Sequence, residues 1–207
     1  MDEDGLLAES RLTSRREREG EVVKRVQVQA LWITALWIGA RLDKRWNEGF
    51  EMARDEFDRA FWFEEKGYLY KSIIRSPNKS IQRVQSISME QILAVGGLPF
   101  VCVDEGKASL IVNALEERYA TPDDVKMATS FPWLFGPFVE AWYRVRHREP
   151  NALQEAKMRF IDPWEAHLKF GGLNHLPENQ PFVARGTVPT NIKQASFSAI
   201  ETSELLR

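Results

Sequence analysis

Apolar side chains recur at Val28, Leu31, Ala35, Ile38 and Leu42, a helical spacing, and Trp32, Ile33, Leu36 and Trp37 widen the stripe. The band is broader than a surface helix needs, so the pattern predicts a helix over 26–42 that is buried on most sides. A second helix follows over 44–62. Its apolar face is Phe50, Ala53, Phe57, Ala60 and Phe61, and its polar face is Glu51, Arg54, Asp55 and Asp58. Gly67 is a stop signal, and Tyr68-Leu69-Tyr70 reads as at most a short strand. The polar run 76–85 reads as a loop. A short helix in 92–103 is broken by Gly96, Gly97 and Pro99. A third strong helix spans 104–119, with Leu110, Ile111, Ala114 and Leu115 facing inward. Thr121-Pro122-Asp123-Asp124 ends it in a turn.

Phe131 to Arg146 is the fourth helix, with Pro132 suited to its first turn and a stripe of Phe135, Phe138, Val139, Trp142 and Val145. Residues 152–170 form a fifth, kinked at Pro163, and 191–207 a last one with Ala195, Ala199 and Leu205 on one side. No long stretch alternates with period two. The prediction is therefore an all-α chain of antiparallel helix pairs, with any site on the connecting loops. Residues 1–20 are mixed in charge and read as a poorly ordered lead-in, and 21–207 as one domain.

The 207 residues carry a formal net charge of −2, which gives no general attraction to nucleic acid or an anionic membrane. The apolar run Ala30 to Ala40 is too short to span a bilayer, and the acidic first residues do not resemble a secretory signal. Cys102 is the single cysteine, so no intramolecular disulfide can form. A cytoplasmic protein is the expectation. Seven Trp, twelve Phe and four Tyr are enough either for a large core or for a platform that stacks a flat ligand.

Nucleotide-binding glycine motifs, HExxH, paired-cysteine metal sites and GxSxG are all missing. His167 and His175 lack a third metal ligand, so neither a metal nor a cofactor is implied. Cys102 sits in an apolar run and reads as a small buried hydrophobe. The stretch that stands out is Gly171-Gly172-Leu173-Asn174-His175-Leu176-Pro177-Glu178. It places a carboxylate on a loop leaving a helix, where acid/base chemistry is often found.

Several stretches, in order, resemble the C-terminal glucosidase region of glycogen debranching enzymes, the amylo-α-1,6-glucosidase family. Val26 to Trp32 is similar to that family's VEVNALW, Phe61 to Tyr70 to its FWNEEKGYLYD, and Ser86 to Val95 to its SIRPNQILAV. Phe131 to Phe138 resembles WPWLLGPF, Gly172 to Glu178 the loop ending in the catalytic Glu, and Arg185-Gly186 and Ser203 to Arg207 the RG and AELLR segments. The resemblance implies an (α/α)6 barrel and hydrolysis of α-1,6-linked glucose at glycogen branch points. That chemistry uses two carboxylates in the inverting arrangement, roughly 6.5–9.5 Å apart. It makes Glu178 the general base, has Gln91 and His175 contact the sugar, and makes Trp133 an aromatic wall.

The departures cluster at polar positions. The tryptophan-rich segment that carries the family's acid has no counterpart here. The Glu and Asn of VEVN are Gln27 and Gln29. The Arg, Pro and Asn of RPNQ are Ser88, Met89 and Glu90, leaving Gln91. The family's YHxGT is Val125 to Thr129, without its histidine. The motifs cover about half of such a toroid. The expectation is thus the C-terminal half of a glucosidase barrel, inactive alone, with a glucan or oligosaccharide as ligand. A second copy or a partner chain would cover the apolar face a half-barrel leaves open. The alternative is a non-catalytic pseudoenzyme that binds glucan or protein.

Overall fold

The computed structural model describes residues 3–9, 21–119 and 132–162. They group into two compact units that divide after Ala114. Most described residues are helical, but the all-α expectation is corrected by two small antiparallel sheets.

In the first unit β1 (Val22–Arg25) runs directly into α1 (Val26–Leu42). A 3-10 turn, Lys44–Trp46, leads to α2 (Asn47–Phe61). β2 (Trp62–Phe63) and β3 (Tyr68–Leu69) form a hairpin turned through Gly67, whose φ of 68° lies in the region glycine tolerates best. β4 (Ser72–Arg75) pairs with β1 on one side and with β5 (Ile81–Val84) on the other, giving the order β1-β4-β5. The expected 76–85 loop is therefore the tip and second strand of a hairpin. The strand left no alternating signal because Ile81, Gln82 and Arg83 are all exposed, so neither face of β5 is reserved for apolar residues.

α1 packs on α2 and on a second 3-10 turn, Met89–Ala94. The core is Val26, Ala30, Ile33 and Leu36 from α1, Phe50, Ala53, Phe57 and Phe61 from α2, and Met89, Ile92 and Leu93 from the turn. The α2 stripe matches the expected one. The α1 stripe does not. Leu31, Ile38 and Leu42 are 49%, 44% and 84% exposed, and Ala35 is exposed with them. The helix is apolar on both sides, so periodicity found the helix but could not say which side its neighbours would cover.

Residues 3–9, inside the expected lead-in, are tied down. Leu6 is buried, and Glu9 bridges to Val23. Gln29 on α1 accepts from Leu7 N–H through Oε1 and donates from Nε2 to Leu7 C=O, both at 2.9 Å. Trp32 Nε1 donates to Gly5 C=O at 3.0 Å.

Buried Lys24 donates to both Asp4 oxygens at 2.8 and 2.6 Å. Burial raises the Asp4 pKa, but the Lys24 bond, the Leu6 N–H and the Lys24 and Arg75 charges outweigh it and hold the carboxyl below its usual value. A carboxyl with a lowered folded pKa contributes stability above its unfolded value, near 3.8, and loses it as pH falls through the folded value. Asp4→Asn should therefore flatten the acid limb of a urea-denaturation stability profile below pH ~4. A variant limb as steep as the wild type would refute this.

The second unit contains the end of α3 (Glu105–Tyr119), α4 (Pro132–Val145), α5 (Pro150–Ala156) and a π-helical turn, Lys157–Ile161. Pro132 and Pro150 open their helices, where a missing N–H costs nothing. Phe160 in the π turn lies edge-on to Phe135, Phe138 and Trp142, with centroids 6.4, 5.6 and 5.4 Å away. On α3 Ile111 and Leu115 are buried as expected. Leu110 is not; it is 51% exposed. The Pro163 kink and the expected 191–207 helix lie outside the described residues.

Candidate functional site

The four residues singled out by sequence fall in different places. Gln91 lies in the 3-10 turn of the first unit and is fully buried. Trp133 lies in the first turn of α4 in the second unit and is 42% exposed. His175 and Glu178 lie outside the described residues. Among the described residues no two of the four share a unit, so no distance between them enters the chemistry here.

What the structure does show around Gln91 is a run of buried side-chain polar atoms without partners. Ser88 is extended, and its C=O accepts from Gln91 N–H at 3.2 Å to start the turn. The turn then runs Met89–Ala94. It is anchored by Cys102 N–H donating to Ala94 C=O at 2.9 Å and buries Met89, Ile92 and Leu93 against α1. Within this apolar setting three side chains carry buried polar atoms with no hydrogen-bond partner. They are Ser88 Oγ, Glu90 Oε2 and both amide atoms of Gln91. Thr34 Oγ1 on α1 is a further one. A buried polar group without a partner costs about 1–3 kcal/mol, and native proteins keep few of them. Three such side chains within four consecutive residues make this turn unusual among the described residues. The set comprises a hydroxyl, a carboxylate oxygen, an amide carbonyl and an amide NH₂, both donors and acceptors.

Sequence reasoning marked Gln91 but missed Ser88 and Glu90, which it counted as losses from RPNQ. Each has a buried side-chain oxygen without a hydrogen-bond partner. It likewise treated Gln29 as a lost sugar contact. Its amide is in fact consumed by the backbone of Leu7, so that position has become structural.

Two other features are chemically closed. An open depression of about 800 Å³ in the first unit is lined by Glu3, Asp4, Met52, Asp55, Glu56, Arg59 and Arg75. Most of its charges are matched: Asp4 pairs with Lys24 and Arg75, Glu56 with Arg59, and Asp55 with Arg54. It has no aromatic lining on which a ring could stack. The Cys102 thiol is buried beside Ala30 C=O, and burial pushes its pKa up to about 12. It stays protonated near neutral pH and is not a nucleophile. No group of three or more His, Cys, Asp or Glu side chains suited to a metal ion occurs among the described residues. None of their helices is long and apolar enough to cross a membrane. No family model and no curated protein matches the chain.

Proposed function

We propose that this chain binds α-glucans through a sugar-recognition wall of the amylo-α-1,6-glucosidase type, as the C-terminal half of an (α/α)6 barrel. The carrying observation is the set of unpartnered buried polar atoms on Ser88, Glu90 and Gln91, in the segment that resembles the family's SIRPNQ. Sugar hydroxyls are both donors and acceptors and would satisfy that set. Separately, in the second unit, Trp133 is a partly exposed aromatic residue of the kind on which pyranose rings stack. In the catalytic form of this reading, Glu178 activates the water and His175 contacts the glucose. The acid comes from a residue outside the recognisable motifs or from another chain. The non-catalytic form is favoured by one observation, the diversion of Gln29 into the Leu7 backbone pairing.

Two measurements test the proposal. Calorimetry with maltooligosaccharides is expected to give saturable binding that Glu178→Gln leaves in place; no heat at any length overturns the glucan reading. A hydrolysis assay on branched limit dextrin, reading free glucose, decides the catalytic form. If turnover occurs, Glu178→Gln should lower it by about 10²–10⁴-fold, the usual weight of a general base. Turnover unchanged by that substitution removes Glu178 from the chemistry.

A further inference from the structure

Residues 3–9 are held the way a protein holds a bound peptide. β1 is an edge strand of its sheet, and Glu9 N–H donates to Val23 C=O at 2.9 Å, an antiparallel bridge on that edge. Side chains of α1 grip the backbone of the segment. Gln29 takes both the N–H and the C=O of Leu7, and Trp32 Nε1 donates to the C=O of Gly5. These bonds would hold any sequence. Four side-chain positions then restrict which sequence lies there. Leu6 is 1% exposed. Asp4 accepts from Lys24, and Glu9 accepts from both the N–H and the guanidinium of Arg25. Gly5 has φ of 78°, and an added Cβ would lie 3.1 Å from Ala53 N, so a larger residue is excluded there.

We propose that β1 and the adjoining side of α1 form a peptide-binding groove, that residues 3–9 are its resident occupant, and that its ligand class is an extended acidic segment of the pattern Asp-Gly-Leu-x-x-Glu. Charge complementarity sets the direction of the ligand: its Asp meets Lys24 and its Glu meets Arg25. The body beneath does not depend on the occupant for its packing. The core built by α1, α2 and the Met89–Ala94 turn takes one buried apolar side chain from this segment, Leu6. The polar groups left behind when the segment lifts are Lys24, Arg25, Gln29 and the Trp32 indole N–H. All would face the vacated groove, where water can take up their bonds until another peptide does. A matching segment of another protein would enter by displacing the resident. Ser88, Glu90 and Gln91 take no part, so the glucan measurements neither support nor remove this site.

A site-specific protease sequence placed within residues 10–20 allows the full chain to be cut with both pieces present. On dilution the fragment carrying residues 3–9 should dissociate, while the remainder keeps its far-UV circular dichroism spectrum and a cooperative urea transition. A fluorescently labelled peptide of Met1–Ser10 should then bind the remainder saturably, read by anisotropy. Leu6→Asp or Gly5→Ala in the peptide should weaken binding by about tenfold or more, as for other anchor positions, and Ala8→Ser, at an exposed position, should leave it unchanged. The uncut chain should bind the peptide far more weakly, because the resident segment competes, and Leu6→Asp in the uncut chain should open the groove to it. A fragment that never leaves, or a remainder that loses its cooperative transition once it does, makes residues 3–9 an integral part of the fold and overturns the proposal. Absence of saturable binding overturns it too. Equal binding of the native and Gly5→Ala peptides overturns the recognition pattern.

Discussion

Trp142→Ala should cost the second unit about 3–5 kcal/mol, the range for removing a large aromatic from a packed core. Trp142 is fully buried on α4, with Phe160 edge-on at 5.4 Å. Its indole also anchors polar groups. Nε1 donates to Glu116 Oε2 at 2.9 Å, and the Arg146 guanidinium lies 3.6 Å from the ring centroid. Glu116 in turn accepts from Arg146 at 3.1 Å and from Arg159 at 2.6 Å, so one carboxylate ties α3, α4 and the π turn to a single ring. Truncation leaves a cavity that Phe160 lines, and it removes the neutral donor and the π face between two like charges. Phe at 142 should recover most of the packing but not the indole bond, and so fall between wild type and Ala. Trp133→Ala is the control: a partly exposed residue outside this cluster, whose loss should stay within roughly 0.5 kcal/mol, as for other surface changes. Urea unfolding followed by far-UV circular dichroism gives the ranking. A Trp142→Ala variant no less stable than Trp133→Ala would mean that the cluster does not hold the unit together.

Which parts of this molecule could be read from sequence follows from which side chains have one environment only. α2 was legible because Phe50, Phe57 and Phe61 stand against Glu51, Arg54 and Asp58, and the contrast names the buried face. α1 offered no contrast, and the stripe that looked inward is the one left open. The three-stranded sheet was hidden for another reason. β5 exposes both its faces and β1 is four residues long, so pairing is held by backbone bonds that leave no mark in side-chain pattern. The order of residues 3–9 depends on Gln29, Trp32 and Lys24 reaching back some twenty residues, a contact no local window contains. The candidate site divides in the same way. Gln91 was found by its neighbourhood in a resembling motif. Ser88 and Glu90 could be recognised only once their burial was known, because a polar residue in sequence is unremarkable until its partners are counted.

Gln91→Met should move stability and binding in opposite directions. In the free protein the Gln91 amide is fully buried and both its polar atoms lack partners. Methionine has similar length and volume and no amide to desolvate, so the exchange should keep the packing of Met89, Ile92 and Leu93. Removing an unsatisfied buried group should then stabilise the free protein by about 1–3 kcal/mol. In the presence of glucan the order reverses. A ligand at a hundred times its dissociation constant stabilises the protein it binds by about 2.7 kcal/mol, and a chain without the amide should lose most of that increment. The pair of thermal midpoints, with and without maltooligosaccharide, separates the explanations. A variant that is more stable alone and indifferent to glucan identifies Gln91 as a group kept at a cost for its ligand. A variant that is less stable alone and still shifted by glucan shows that the amide serves the fold through bound water, and moves the sugar contact elsewhere. A polar wall kept unsatisfied in an apolar turn has a physical reason only if something fills it, so the sign of the change in the free protein is the decisive reading.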